Sequence, residues 1–377
     1  MKISIVGAGN AGCFTALHYA WYTRKSDIEI ELIYNPTILP ERVGQATVLD
    51  PPLLLYASLG FDWFNNKVYA TPKTGVVYEG WGKVNEKVSH PFPASDLGMH
   101  FCPSEMQKTI LNSGRFNVVE DEVDPKDVDA DYVYDCRGKP KDFSNYEELK
   151  NPINAVILGK PNWDITCLWT RAVATPDGWT FIIPAQKDSP SYSGCIGYLY
   201  NSKITTKERA ESNFLEMFDV EISDYLNFNN YVVKDPVVDD RIFLNGNRLF
   251  FLEPLEASAL QTYLQWSRMG YDVIGKRHTV KEASLKIKDY IRKVENFVLW
   301  HYQFGSKYDT PFWNYAKTLT FKDADFNQLL KTSRKTSWDD IIPPECGGVF
   351  PTVHYAYFTP MSFKYWDEGM ISACEKK

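Results

Sequence analysis

The segment KISIVGAGNAG, Lys2 to Gly12, joins a short apolar run to a glycine-rich turn. CFTALHYAWYT follows, with Ala16, Leu17 and Ala20 at helical spacing, and a second apolar run, IEIELIY, comes at 28–34. Strand, glycine turn, helix and strand in that order make a βαβ opening, and Gly7-x-Gly9-x-x-Gly12 falls where a dinucleotide fingerprint belongs. Gly7 permits the tight turn, Gly9 lets the backbone approach a pyrophosphate, and Gly12 lets helix and strand pack closely. The helix N-terminus then offers amides and a positive dipole end to the phosphates. One part of the fingerprint is missing. Tyr34 and Asn35 stand where an acidic residue would hold a ribose hydroxyl, and Asn35 offers a weaker hydrogen bond in its place.

Beyond this opening the middle of the chain reads as strands. DADYVYDCRG (129–138) is a buried strand ending in glycine, and WTFIIP (179–184) and SGCIGYLY (193–200) belong to a second sheet at about 155–200. TTKERAESNFLEMF (205–218) reads as a helix with Thr205 and Glu208 spaced as a capping box. VKEASLKIKDYIRKVENFVLWHY reads as a long amphipathic helix with Ala283, Ile287, Ile291, Val294 and Val298 on one stripe. The aromatic, proline-interrupted tail from about 305 is expected to pack over another surface. The fold class is therefore α/β: a Rossmann-like nucleotide module with a second β-sheet over 1–268, and a mostly helical, aromatic-rich module over 269–377.

Composition narrows the function. The chain has 377 residues, 44% apolar and 24% charged, as in an ordinary globular protein. A net charge of −7 without a basic stripe argues against nucleic acid as partner. The most apolar stretch, PPLLLYASLGF, is far shorter than the ~18 residues of a membrane span. Seven scattered cysteines without C-x-x-C fit free thiols in a reducing compartment, so a cytoplasmic location is expected. The six histidines have no metal-ligand spacing, so no metal is expected. There is no G-x-S-x-G for a hydrolytic nucleophile.

EPLEASAL (253–260) passes from a strand through a proline turn to a helix starting near Ala257. Read by itself, Glu256 is either a carboxylate complementing the helix dipole or a base beside an anion site made by the amides of 257–260. Lys73, in ATPKTGVVYEGW, is a lysine between a turn and a strand. HYQFGSKYDTPFW (301–313) reads as a packed aromatic corner with nothing catalytic in it.

Taken together these segments resemble the flavin-dependent halogenases of the tryptophan-halogenase type, from residue 2 to about 313 and in the family's order. GAGNAG matches the flavin fingerprint. RVGQATV (42–48) looks like the family's flavin-wrapping segment, with Gln45 in place of Glu. ATPKTGVVYEGW is similar to the strand carrying the catalytic lysine, and HPF (90–92) to a stretch that packs against the aromatic substrate. GWTFIIP is close to the W-x-W-x-I-P signature, with Trp179 kept and Phe181 for the second Trp. FLEPLEAS matches the segment of the catalytic glutamate, with Ser258-Ala259 for the halide-binding Thr-Gly pair, and HYQFGSKYDTPFW is similar to the H-Y…D-T-P-F-W run. Asn247 replaces an Asp that meets the flavin side of the site.

The resemblance implies an FADH2-dependent halogenase, an oxidoreductase, with a reduced substrate-covering module because the chain is short for the family. It implies FAD, supplied as FADH2 by a separate, diffusible flavin reductase, together with halide ion and O2. Hypohalous acid would be delivered through Lys73 with Glu256 to an electron-rich aromatic small molecule. The residues it places at the cofactor are Gly7, Ala8, Gly9, Ala11, Gly12, Gly44, Gln45, Ala46, Thr47, Asn247 and Leu260. Ser258 and Ala259 would bind halide, His90 and Phe92 would line the substrate, and Trp179 and Phe181 would shield the flavin. Self-association into a homo-oligomer stays open, as do two other readings: an FAD-dependent aromatic hydroxylase and a non-catalytic flavin binder.

Overall fold

A computed structural model describes the chain except residues 41–44, 65, 84–85, 93–96, 185–194, 339–353 and 376–377. Strand Lys2–Val6 lies between Glu29–Tyr34 and Tyr132–Asp135, parallel to both. Outside these, Asn117–Glu120 and Ile242–Leu244 extend the sheet in parallel, and Val237–Val238 closes one edge antiparallel. The inner parallel strands Lys2–Val6 and Tyr132–Asp135 are buried beyond their first residue, as a sheet covered on both faces requires, whereas Asn117–Glu120 at the edge is not. Helix Asn10–Tyr22 packs against helix Ala259–Ile274, and its residues from Ala11 to Tyr19 are all buried.

The second sheet has seven described strands, in the order Val220–Asn227, Ala155–Pro161, Cys195–Tyr200, Gly178–Ile183, Thr170–Thr175, Gly75–Glu79 and Lys87–Pro91. Its central strand, Gly178–Ile183, is buried throughout, and Gly197 leaves the hollow that the Phe181 ring fills. Two three-stranded sheets complete the β-structure of the described residues. One of them joins Gln45–Ala46, Gly98–Phe101 and Thr71–Lys73, and so sets Lys73 one strand away from Gln45–Ala46.

From Ala259 onward the named elements are helices: Ala259–Ile274, Val280–Gln303, Pro311–Ala316, Ala324–Lys335 and Pro360–Glu375. Position 268, where the sequence suggests a module boundary, lies inside the first of them. Val280–Gln303 opens with a full capping box, Thr279 with Glu282, and buries the expected stripe of Ala283, Ile287, Ile291, Val294 and Val298. The tail packs as expected. Helix Pro360–Glu375 lies on helix Ala324–Lys335 and on strand Lys87–Pro91.

Two local expectations need correction. The helix after residue 205 is capped by Thr206, whose side chain accepts from Arg209 N, and spans Lys207–Met217. Thr205 is engaged elsewhere, because its hydroxyl donates to Asp177 Oδ1 at 3.0 Å. The helix expected from Ala257 begins at Ala259, because Ala257 has a left-handed φ of 52° that no right-handed helix continues.

Candidate active site

The N-terminal turn is built as the fingerprint requires. Gly7 has a φ of 107°, and a Cβ on Gly12 would lie 1.8 Å from the Gly7 carbonyl oxygen. A Cβ added at Gly9 would meet nothing within 4 Å, so the turn is uncrowded on that side. Helix Asn10–Tyr22 starts at Gly9 without a side-chain cap, which leaves its first amides to a ligand. Ala8 and Ala11 are buried beside this turn, and Gly246 approaches so closely that a Cβ there would meet the Ala11 side chain at 2.7 Å. Asn247 comes next in the chain. Its side-chain oxygen accepts from Tyr263 on helix Ala259–Ile274, at 2.9 Å. Leu260 is buried in that helix's first turn. These residues fit a dinucleotide. Asn35 is occupied otherwise: its amide donates to Glu122 at 2.8 Å and its oxygen accepts from Thr37 N at 2.8 Å. Gly44 lies outside the described residues.

Strand Gly98–Phe101 joins the Gln45–Ala46 segment to Lys73. On one side Gln45 pairs with Phe101 and Ala46 with His100. On the other Thr71 pairs with His100 and Lys73 with Gly98. Thr47 pins the loop, its hydroxyl accepting from Met99 N at 3.1 Å and donating to Val48 O at 2.7 Å. A Cβ on Gly98 would sit 2.6 Å from Thr47 O and 2.8 Å from the Phe92 ring, so the close passage exists only for glycine.

Lys73 is not a surface lysine. It is fully buried, and Nζ has no hydrogen-bond partner among the described residues; it sits 5.4 Å from the Phe92 ring centroid. Burial drives its pKa down to about 8, against the pull of the Glu256 charge, which favours the ammonium. His100 neighbours it, with Nε2 2.9 Å from Thr170 Oγ1, and burial together with the Lys73 charge holds this imidazole neutral.

Glu256 is also buried. Its Oε1 accepts from the Tyr78 hydroxyl and lies 2.7 Å from His301 Nε2 and 3.7 Å from His90 Nδ1. Among the described residues Oε2 makes no hydrogen bond. Burial alone would raise its pKa, but the hydrogen bond with His301 and the nearby His90 ring outweigh it and hold the carboxyl ionised. Ser258 caps the adjoining helix without a side-chain bond, so the first-turn amides from Ala259 on stay available. The Tyr357 hydroxyl reaches back to Glu256 O at 3.5 Å.

Three residues upstream, Glu253 ties the same loop to the second sheet. Its Oε2 accepts from Trp179 Nε1 at 2.8 Å, and its Oε1 from Tyr302 OH at 2.6 Å and Asn151 Nδ2 at 3.0 Å. Burial pushes this carboxyl up to about 7 against those three donors. Trp179 is thus anchored to the Glu253–Glu256 turn, with the Phe181 ring 6.2 Å away. Sequence reasoning misses Tyr78, Glu253, His301 and the tail residues Tyr357 and Trp366. The His301-Tyr302 pair reads in the sequence as packing, yet it supplies His301 to Glu256 and Tyr302 to Glu253.

Comparison with known proteins decides the family. A model described as tryptophan halogenase matches residues 2–113 and 112–363, most of the chain. The chain belongs to the tryptophan halogenase family. Solved structures agree in fold. The chain resembles BrvH, a flavin-dependent halogenase from a Brevundimonas species, with a TM-score of 0.77 and 16% identity, over 98% of this chain and 89% of that one. A flavin-dependent halogenase from Xanthomonas campestris gives 0.78 at 16% identity, over 98% and 88%. A tryptophan halogenase from Shewanella frigidimarina gives 0.76 at 17%, over 98% and 88%. This member of the family is a flavin-dependent halogenase and uses a flavin cofactor. Among the described residues no helix is long and apolar enough to cross a membrane, and no cluster of His, Cys, Asp or Glu could hold a metal ion.

Proposed function

We propose that this halogenase uses Lys73 and Glu256 to direct an electrophilic halogen onto an electron-rich aromatic small molecule. The observation that carries the reading is a fully buried ammonium, without a hydrogen-bond partner among the described residues, within electrostatic reach of a buried carboxylate. Reduced FAD, when bound, supplies the chemistry by which O2 turns halide into hypohalous acid; a separate reductase supplies the reduced flavin.

Gly7, Ala8, Gly9, Ala11 and Gly12 hold the pyrophosphate, and Gln45, Ala46, Thr47, Asn247 and Leu260 border the rest of the cofactor. The amides of Ser258 and Ala259, at the positive end of a 16-residue helix, hold the halide. Lys73 Nζ donates to the oxygen of the hypohalous acid and fixes its orientation, since burial leaves it no water to bond. Glu256 Oε2 stabilises the positive charge that develops on the ring as the halogen adds. His90 and Phe92 line the place of the ring. Trp179 and Phe181 separate substrate from flavin. Residues 1–268 form the flavin-binding module and 269–377 cover the substrate.

The test supplies FAD, a flavin reductase, NADH, O2 and chloride, bromide or iodide in turn, with a panel of phenols and indoles. A halide-dependent product with the halogen's mass supports the reading. An oxygenated product formed equally well without halide would replace it with hydroxylation.

A further inference from the structure

His301 sits on the long helix Val280–Gln303, fully buried. Its Nδ1 is 2.6 Å from the carbonyl oxygen of Phe297, one turn back. A carbonyl only accepts, so Nδ1 carries a hydrogen. On the other side Nε2 is 2.7 Å from Glu256 Oε1. A neutral imidazole with its hydrogen on Nδ1 would face the carboxylate with a lone pair, and two acceptors at that distance repel. The contact therefore requires a second proton between Nε2 and Oε1.

The surroundings favour a cation. The Trp366 ring lies 3.9 Å from the His301 ring at 30°, Phe297 at 5.0 Å and Tyr78 at 5.3 Å. The Trp366 ring, the closest and most nearly parallel, stabilises positive charge through its electron-rich face, while Phe297 at 68° and Tyr78 at 50° complete the aromatic surroundings. Trp366 comes from the C-terminal helix, so the last element of the chain supplies that ring.

We propose that His301 is a buried imidazolium that shares its second proton with Glu256, and that it acts as a positioning residue. With Tyr78 it occupies Oε1 and leaves Oε2 as the oxygen that faces substrate. The protonation stands on geometry alone; its catalytic consequence rests on the role given to Glu256 above. The titratable groups facing the pair are Tyr78 and His90 from the second sheet, Lys73 from the strand beside Gly98, and Tyr357 from the tail. Of these Lys73 is the other cation, and it acts in the same direction on Glu256 as His301 does.

Two measurements test this. The first is an NMR correlation of side-chain nitrogens in protein labelled with ¹⁵N-histidine, near pH 7. One of the six imidazoles should show both nitrogens protonated, and that signal should vanish in His301→Gln. An imidazole at His301 with an unprotonated nitrogen would overturn the proposal, whatever the protein catalyses. The second is the pH profile of halogenation in His301→Gln, which keeps an N–H donor but no charge. The acid limb should move up by about one unit or more, because burial then dominates Glu256. Superimposable profiles would overturn the tuning role. If no halide gives a product with the wild-type enzyme while the NMR signal is present, the halogenase reading fails and the imidazolium stands.

Discussion

Lys73 stands directly opposite Gly98 in a three-stranded sheet whose other edge is Gln45–Ala46. One short strand therefore carries the segment proposed to border the cofactor on one side and the buried lysine on the other. Their spacing is set by backbone hydrogen bonds rather than by flexible side chains. This coupling predicts the effect of Gly98→Ala. The added methyl meets Thr47 O at 2.6 Å, and a backbone oxygen cannot step aside. FAD affinity should fall at least about tenfold, roughly 1.4 kcal/mol, and halogenation should fall with it. Titration of the apoprotein with FAD, followed by fluorescence, checks the first part.

Lys73 makes the protein less stable than it could be. An exposed lysine keeps its proton to 10.5, whereas Lys73 loses it near 8. Between these values the unfolded chain binds more protons, so stability rises with pH across that window and the full cost is present at pH 7. Lys73→Met should therefore raise stability at pH 7 by up to about 3 kcal/mol. The gain should shrink in denaturant titrations repeated above pH 9.

Ala257 carries a backbone penalty. Its φ of 52° places a methyl-bearing residue in the left-handed region, between the Glu256 carboxylate and helix Ala259–Ile274. Ala257→Gly relieves about 1–2 kcal/mol of strain and loses part of that to greater freedom of the unfolded chain. A net gain of about 0.5–1 kcal/mol is expected in thermal melts.

Glu253 behaves in the opposite way to Lys73. Its folded pKa, about 7, lies above the ordinary 4.5, so its contribution is complete below 4.5 and is lost as pH rises through 7. Trp179→Phe removes one of three donors to the ionised form. The variant should lose about 1–3 kcal/mol at pH 8 and clearly less at pH 5, where Glu253 is protonated. Parallel melts at the two pH values give the comparison.

The parts legible in the sequence are those where a single residue type is forced by sterics. Gly7 and Gly12 can be read because a Cβ there would collide with the Cys136 and Gly7 carbonyls, and the family can be read because seven motifs keep its order. Charge networks are less legible. Glu256 is separated from Tyr78 and His301 by 178 and 45 positions, and both partners lie in segments whose apolar pattern explains them as core. The ribose position shows the same limit: Asn35 looks available in the sequence, but Glu122 and Thr37 already use it. Helix starts slip by one or two residues where a neighbour claims the cap, as Asp177 claims Thr205.

The central claim is that the buried ammonium of Lys73 handles the halogen and has no part in holding the flavin. The most direct measurement is made on Lys73→Ala, with FAD titrated into the apoprotein and product counted by mass spectrometry under reductase-coupled turnover. Flavin affinity within about twofold of wild type, with halogenated product lowered by at least a thousandfold, about 4 kcal/mol, is the expected result. Halogenation at the wild-type rate by that variant would contradict it.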